Sequence, residues 1–144
     1  MDFTAYQISA AGMRVESQRL EATARNLANM HSAAAPGTQP FRPLRVVAQE
    51  VPLTLSRQFG DAFAAAGGGV RLASFEQLNA APRMEYDQAH PMADERGMVA
   101  YPGINHTAEM LNLMQALRSH EANVTAMKAA IAMMKKTLEI GGER

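Results

Sequence analysis

The chain has no cysteine and no tryptophan, and aromatic residues make up only 6% of it. Without cysteine there is no disulfide, no thiolate nucleophile and no cysteine-ligated metal. So few aromatics leave little bulk for a rigid core around an enzyme pocket. A charge excess of either sign is also missing: Lys plus Arg number 14, and so do Asp plus Glu. A balanced chain has no surplus cations to displace the counterions of nucleic acid, and none for a polybasic membrane anchor. No run approaches the roughly 18 consecutive apolar residues of a membrane span, so no direct membrane insertion is expected. Met1-Asp2-Phe3-Thr4 shows neither a positive n-region nor an apolar h-region. A cleaved secretory signal is therefore not expected.

What the chain does hold is Ala, Met and helical rhythm. Its 144 residues suit about one domain. Apolar residues reach 47%, with 11 methionines, a composition for helices that pack closely and adaptably. Residues 3–30 read as one long helix. Two prolines and a glycine within 31–40 mark a linker. Residues 105–140 read as a second, longer helix, which Gly141 and Gly142 are expected to end. The predicted class is mainly α: two long terminal helices in an antiparallel coiled-coil-like pair, with a small β-rich middle. The domain expectation is a helical polymerisation part from 1–30 plus 105–144, the linker 31–40, and the middle 41–104.

Both helices carry a seam in alternating steps of three and four. In the first it runs through Phe3, Tyr6, Ala10, Met13, Ser17, Leu20, Ala24 and Leu27. In the second it runs through Met110, Leu113, Leu117, His120, Val124, Met127, Ile131, Met134 and Leu138. Twelve residues of these rows (Tyr6, Met13, Leu20, Leu27, Met110, Leu113, Leu117, Val124, Met127, Ile131, Met134 and Leu138) are the candidate subunit-packing residues. Gly12 sits mid-helix at a cost of about 1 kcal/mol relative to Ala. Either that cost is simply tolerated, or another helix crosses close to its backbone. Asn105 or Thr107 can cap the second helix, and Glu109 suits the positive end of its dipole. Ile8, Ala11, Val15 and Ala22, and Leu111, Ala122, Ala126, Ala129, Ala130, Met133 and Ile140, lie off the seams. Pairing the helices would bury the seams alone. The flanks then face water unless the middle region or other chains cover them, and a lone soluble protein seldom keeps such patches idle.

The middle has strand-like runs at 41–51, 70–76, 83–86 and 98–101. Pro43 and Pro52 limit the first to an edge or short strand, and Glu95-Arg96-Gly97 is turn-like before the last. Residues 53–69 drift into Ala and Gly and read as a flexible loop.

Candidate chemistry is sparse. His106 and His120 are ~21 Å apart by helical rise and cannot share a metal within one chain. His90 near Asp94 and Glu95 matches no ligand spacing. Gly67-Gly68-Gly69 has no Lys-Ser or Lys-Thr after it, and no Gly-x-Ser-x-Gly elbow is present. Neither catalytic residue nor cofactor nor small-molecule substrate is expected. His120, inside an apolar seam, is either a hydrogen-bonded, half-buried ring or a pH-sensitive contact between subunits.

Ile8-Ser9-Ala10-Ala11-Gly12-Met13, Gln18-Arg19-Leu20 and Ala24-Arg25-Asn26-Leu27-Ala28-Asn29 resemble the N-terminal motif of the bacterial flagellar axial proteins. Glu109-Met110-Leu111-Asn112-Leu113-Met114, Arg118-Ser119-His120-Glu121-Ala122-Asn123 and Lys136-Thr137-Leu138-Glu139-Ile140-Gly141 resemble the C-terminal one. Gln39-Pro40-Phe41-Arg42-Pro43 and the stretch from Tyr86-Asp87-Gln88 to Tyr101-Pro102 narrow the resemblance to a proximal-rod member. The resemblance implies a structural subunit of the flagellar basal-body rod, passing torque through helix packing. It also implies export through the flagellar type III apparatus without a cleaved signal peptide, and assembly in the periplasm with copies of itself and other rod proteins. The alternative from the residues alone is a soluble helical adaptor or chaperone that binds partner helices.

Overall fold

A computed structural model describes residues 3–51 and 69–142. Six elements follow in order: helix α1 (Phe3–Asn29), strands β1 (Leu44–Val51), β2 (Gly69–Gln77), β3 (Arg83–Tyr86) and β4 (Met98–Tyr101), and helix α2 (His106–Gly142). The fold is mainly helical, with two long helices packed together and a small middle of two two-stranded sheets, β1–β2 and β3–β4. The four expected strands are all present. Most of the expected 53–69 loop, residues 53–68, lies outside the described residues.

The helix ends follow local chemistry. The Asn105 side-chain oxygen accepts the Ala108 N–H at 3.1 Å, and its carbonyl accepts the Glu109 N–H at 3.0 Å. Asn105, not Thr107, is therefore the N-cap. At the far end of α1, Asn29 Nδ2 donates to the Arg25 carbonyl at 2.8 Å, satisfying one of the last orphan acceptors. An Arg25–Glu21 ion pair sits one turn earlier. α2 takes in Gly141 and Gly142 and so runs two residues beyond the expected 140. Nothing lies within 4 Å of a Cβ at Gly141.

The chain divides into two compact units. The first comprises the described parts of Met1–Gln18, Val47–Ser74 and Gln115–Arg144. Its buried residues are Ser9, Val15 and Glu16 of α1 and Ala116 and Ala130 of α2. Here Gly12 meets Asn123: a Cβ at Gly12 would lie 2.9 Å from both Asn123 side-chain polar atoms. The glycine thus marks a close crossing rather than a tolerated defect.

The second unit comprises Arg19–Val46 and Phe75–Met114. In it Val99 of β4 is fully buried, and Ala22, Thr23, Asn26 and Val46 are buried as well. β4 pairs antiparallel with β3, Arg83 facing Tyr101 and Tyr86 facing Met98. On its other side, the Ala100 carbonyl accepts the Ala34 N–H at 2.9 Å. Val99 is the buried residue of β4, whose other three are half-buried, while all four residues of β3 are exposed. The turn into β4 is built by Asp94, whose Oδ1 accepts the N–H groups of Arg96 and Met98, both at 2.8 Å. Gly97 completes it at φ 76°, a left-handed conformation that favours glycine. The Pro43 carbonyl, just before β1, accepts the Leu78 N–H at 2.8 Å.

Asn26, fourteen residues after Gly12, meets Glu109, fourteen residues before Asn123.

Candidate assembly surface

The large apolar residues are not where a self-sufficient fold would put them. Among the described residues the buried hydrophobic positions are small: Val15, Val46, Val99, Ala22, Ala116 and Ala130. The exposed ones are large, and they include Leu111, Met114, Leu117, Ile131, Met133, Leu138 and Ile140 of α2 and Ile8 of α1. Among the flanking positions, Val15, Ala22 and Ala130 are covered within the chain, whereas Ile8, Leu111, Met133 and Ile140 are not.

The seams occupy the borders of the buried faces rather than their centres. On α1, Ser9, Glu16 and Thr23 recur every seven residues and are buried together with Val15, Ala22 and Asn26. The seam residues Tyr6, Met13, Leu20 and Leu27 sit beside that row, half-buried. On α2 the same offset places Ala116 and Ala130 inside and leaves Leu117 and Ile131 exposed. Met110, Leu113, Val124, Met127 and Met134 are half-buried, as is His120, and Leu138 is exposed. The intrachain contact thus uses the smaller and more polar row. Small side chains let helix backbones approach, as Gly12 against Asn123 illustrates.

The far part of α2 has a further property. Ile131 and Leu138 are seven residues apart and share one side of the helix, as do Met133 and Ile140. The two pairs are offset by two residues, about 200° of rotation, and so lie on opposite sides. Met133 is 70% exposed, Leu138 62% and Ile140 73%. A helix apolar on both sides is suited to burial all round.

Polar joints hold the covered faces. Asn26 is 1% exposed. Its Nδ2 donates to the Leu44 carbonyl at 2.9 Å and to Glu109 Oε2 at 3.3 Å, and its Oδ1 accepts the Leu44 N–H at 2.8 Å. Neither Asn26 nor Asn123 belongs to an apolar row, so periodicity does not select them. The seven-residue polar spacing of Ser9, Glu16 and Thr23 was the signal available. Among the described residues no group of three His, Asp or Glu is placed to hold a metal ion. His90 Nδ1 instead accepts the Met92 N–H at 3.1 Å, and its ring stands edge-on to Tyr101 at 6.4 Å. Also among the described residues, no helix is long and apolar enough to cross a membrane.

Residues 95–140 match the family model for the flagellar basal body rod FlgEFG protein C-terminal. The flagellar basal-body rod protein FlgC of Escherichia coli O6:H1 is 36% identical over 136 residues, covering 94% of this chain and 95% of that protein. This chain belongs to the flagellar basal-body rod protein FlgC family. FlgC of Salmonella typhimurium (strain LT2) is 35% identical over 136 residues, again 94% of this chain and 95% of that protein. FlgC of Bacillus subtilis (strain 168) is 31% identical over 146 residues, covering 96% and 97%. As a FlgC-family chain it is a structural protein of the flagellar basal-body rod, not an enzyme.

Proposed function

We propose that this FlgC-family subunit is incorporated into the proximal rod by packing its terminal helices, residues 1–30 and 105–144, against copies of itself and other rod proteins. The observation that carries this reading is the pair of exposed apolar rows on opposite sides of α2, Ile131 with Leu138 and Met133 with Ile140. No single neighbouring helix covers both sides, so α2 calls for neighbours on each. Tyr6, Met13, Leu20, Leu27, Met110, Leu113, Leu117, Val124, Met127 and Met134 then complete the subunit contacts from the borders of the intrachain face. The linker 31–40 and the middle 41–104 lie further out. Torque passes from subunit to subunit through interlocked side chains, which close packing resists deforming. The chain reaches the periplasm through the flagellar type III export apparatus without a cleaved signal peptide, and joins the rod there.

The test is a strain lacking its own copy, complemented with tagged chain. Purified basal bodies should contain the tag, and cells without the chain should lack rods and not swim. A tag confined to soluble fractions, in cells that swim normally without the protein, would remove the rod reading in favour of a soluble adaptor.

A further inference from the structure

Asn26 joins three segments that are distant in sequence: the C-terminal part of α1, the start of β1 and the first turn of α2. Its amide uses one acceptor and two donors, directed at Leu44 N–H, Leu44 C=O and Glu109 Oε2. The pattern fixes the amide orientation, since a flipped amide would oppose two donors and set its oxygen against two acceptors. Toward Leu44 the side chain behaves as a neighbouring strand would, giving one hydrogen bond and receiving one. At 1% exposure, water does not replace these bonds.

We propose that Asn26 is a latch: a positioning residue that makes the entry to β1 and the first turn of α2 order together on α1, so that the second unit closes as one piece. It goes beyond the rod reading and borrows from it only a readout. Chemistry supplies a specific test. Asn26→Asp keeps the shape and the acceptor for Leu44 N–H. It loses both donors and sets a negative oxygen against the Leu44 carbonyl and the Glu109 carboxylate. Glu109→Gln returns a donor on the opposite side of that contact.

The full-length chain is expressed in a strain lacking its own copy. The flagellated-cell fraction and the chain content of purified basal bodies are measured relative to wild type. Asn26→Asp is expected to lower both about tenfold, the effect of one net charged hydrogen-bond mismatch. Glu109→Gln alone stays within about twofold, and the double variant recovers to within about threefold of wild type. Asn26→Ala, with no charge to relieve, gains nothing from Glu109→Gln. Wild-type levels in Asn26→Asp, or a double variant as poor as Asn26→Asp, overturn the latch. Failure of the wild-type chain itself to enter basal bodies counts against the rod reading instead, so the two ideas fail separately.

Discussion

At the residue scale, Gly103 and Gly12 both mark close approaches and differ in what approaches. A Cβ at Gly103 would lie 2.2 Å from the Ala81 carbonyl oxygen, a backbone atom that cannot turn aside. Gly103→Ala should therefore shift the 80–82 segment and cost about 1–3 kcal/mol. The expected readout is swimming that fails on modest warming, and temperature-independent swimming would show that the segment yields. At Gly12 the neighbour is the end of the Asn123 side chain, which can rotate. Gly12→Ala combined with Asn123→Ala removes the obstacle and gains about 1 kcal/mol of helix propensity. That double variant should swim like wild type, whereas Gly12→Leu, whose branch reaches the facing helix, should not. The sequence made Gly12 conspicuous, because a glycine inside an apolar rhythm needs a reason. Nothing comparable flags Asn26, since asparagine near a helix end ordinarily reads as a cap.

At the scale of elements, the seams follow from three-four spacing, but their partners do not. Spacing says that Leu117 and Ile131 share a stripe. It does not say that Ala116 and Ala130, one position earlier, take the intrachain contact. Leu117→Asp and Ile131→Asp should leave the lone chain little changed, since both positions are exposed in it. Inside a dry contact, an unpaired carboxylate costs several kcal/mol. Each variant should be produced at wild-type level yet be absent from purified basal bodies, and normal motility in either would remove that residue from the assembly surface. The two sides of α2 can be compared directly through Met133→Asp and Leu138→Asp. Both should abolish rods, and tolerance of one would mean that only the other side is covered.

At the scale of the whole molecule, the imbalance between a core of small residues and a surface of large ones governs behaviour. Burying a valine side chain contributes about 1.5–3 kcal/mol. Ordering each residue costs about 1–2 kcal/mol. Chains whose largest apolar groups stay in water have little surplus. The purified chain alone should therefore show weak helical circular dichroism that strengthens when other rod proteins are added, and a fully helical signal independent of partners and concentration would contradict this. Deleting residues 54–66 tests the surface-loop expectation for that stretch. Motility should fall only slightly, whereas loss of rods would make the stretch a subunit contact.

Sequence alone determined the two long helices, the four strands, the Glu95–Gly97 turn and the surplus of apolar helix surface, because periodicity and local turn chemistry are short-range properties. Family motifs at both ends, with their order along the chain, were legible for the same reason. Tertiary structure decided which helix rows face inward, why Gly12 is a glycine, and that Asn26 serves β1 and α2 rather than its own helix. Those outcomes depend on which backbone comes within a few ångströms of which side chain, and spacing along one element carries no information about its neighbour.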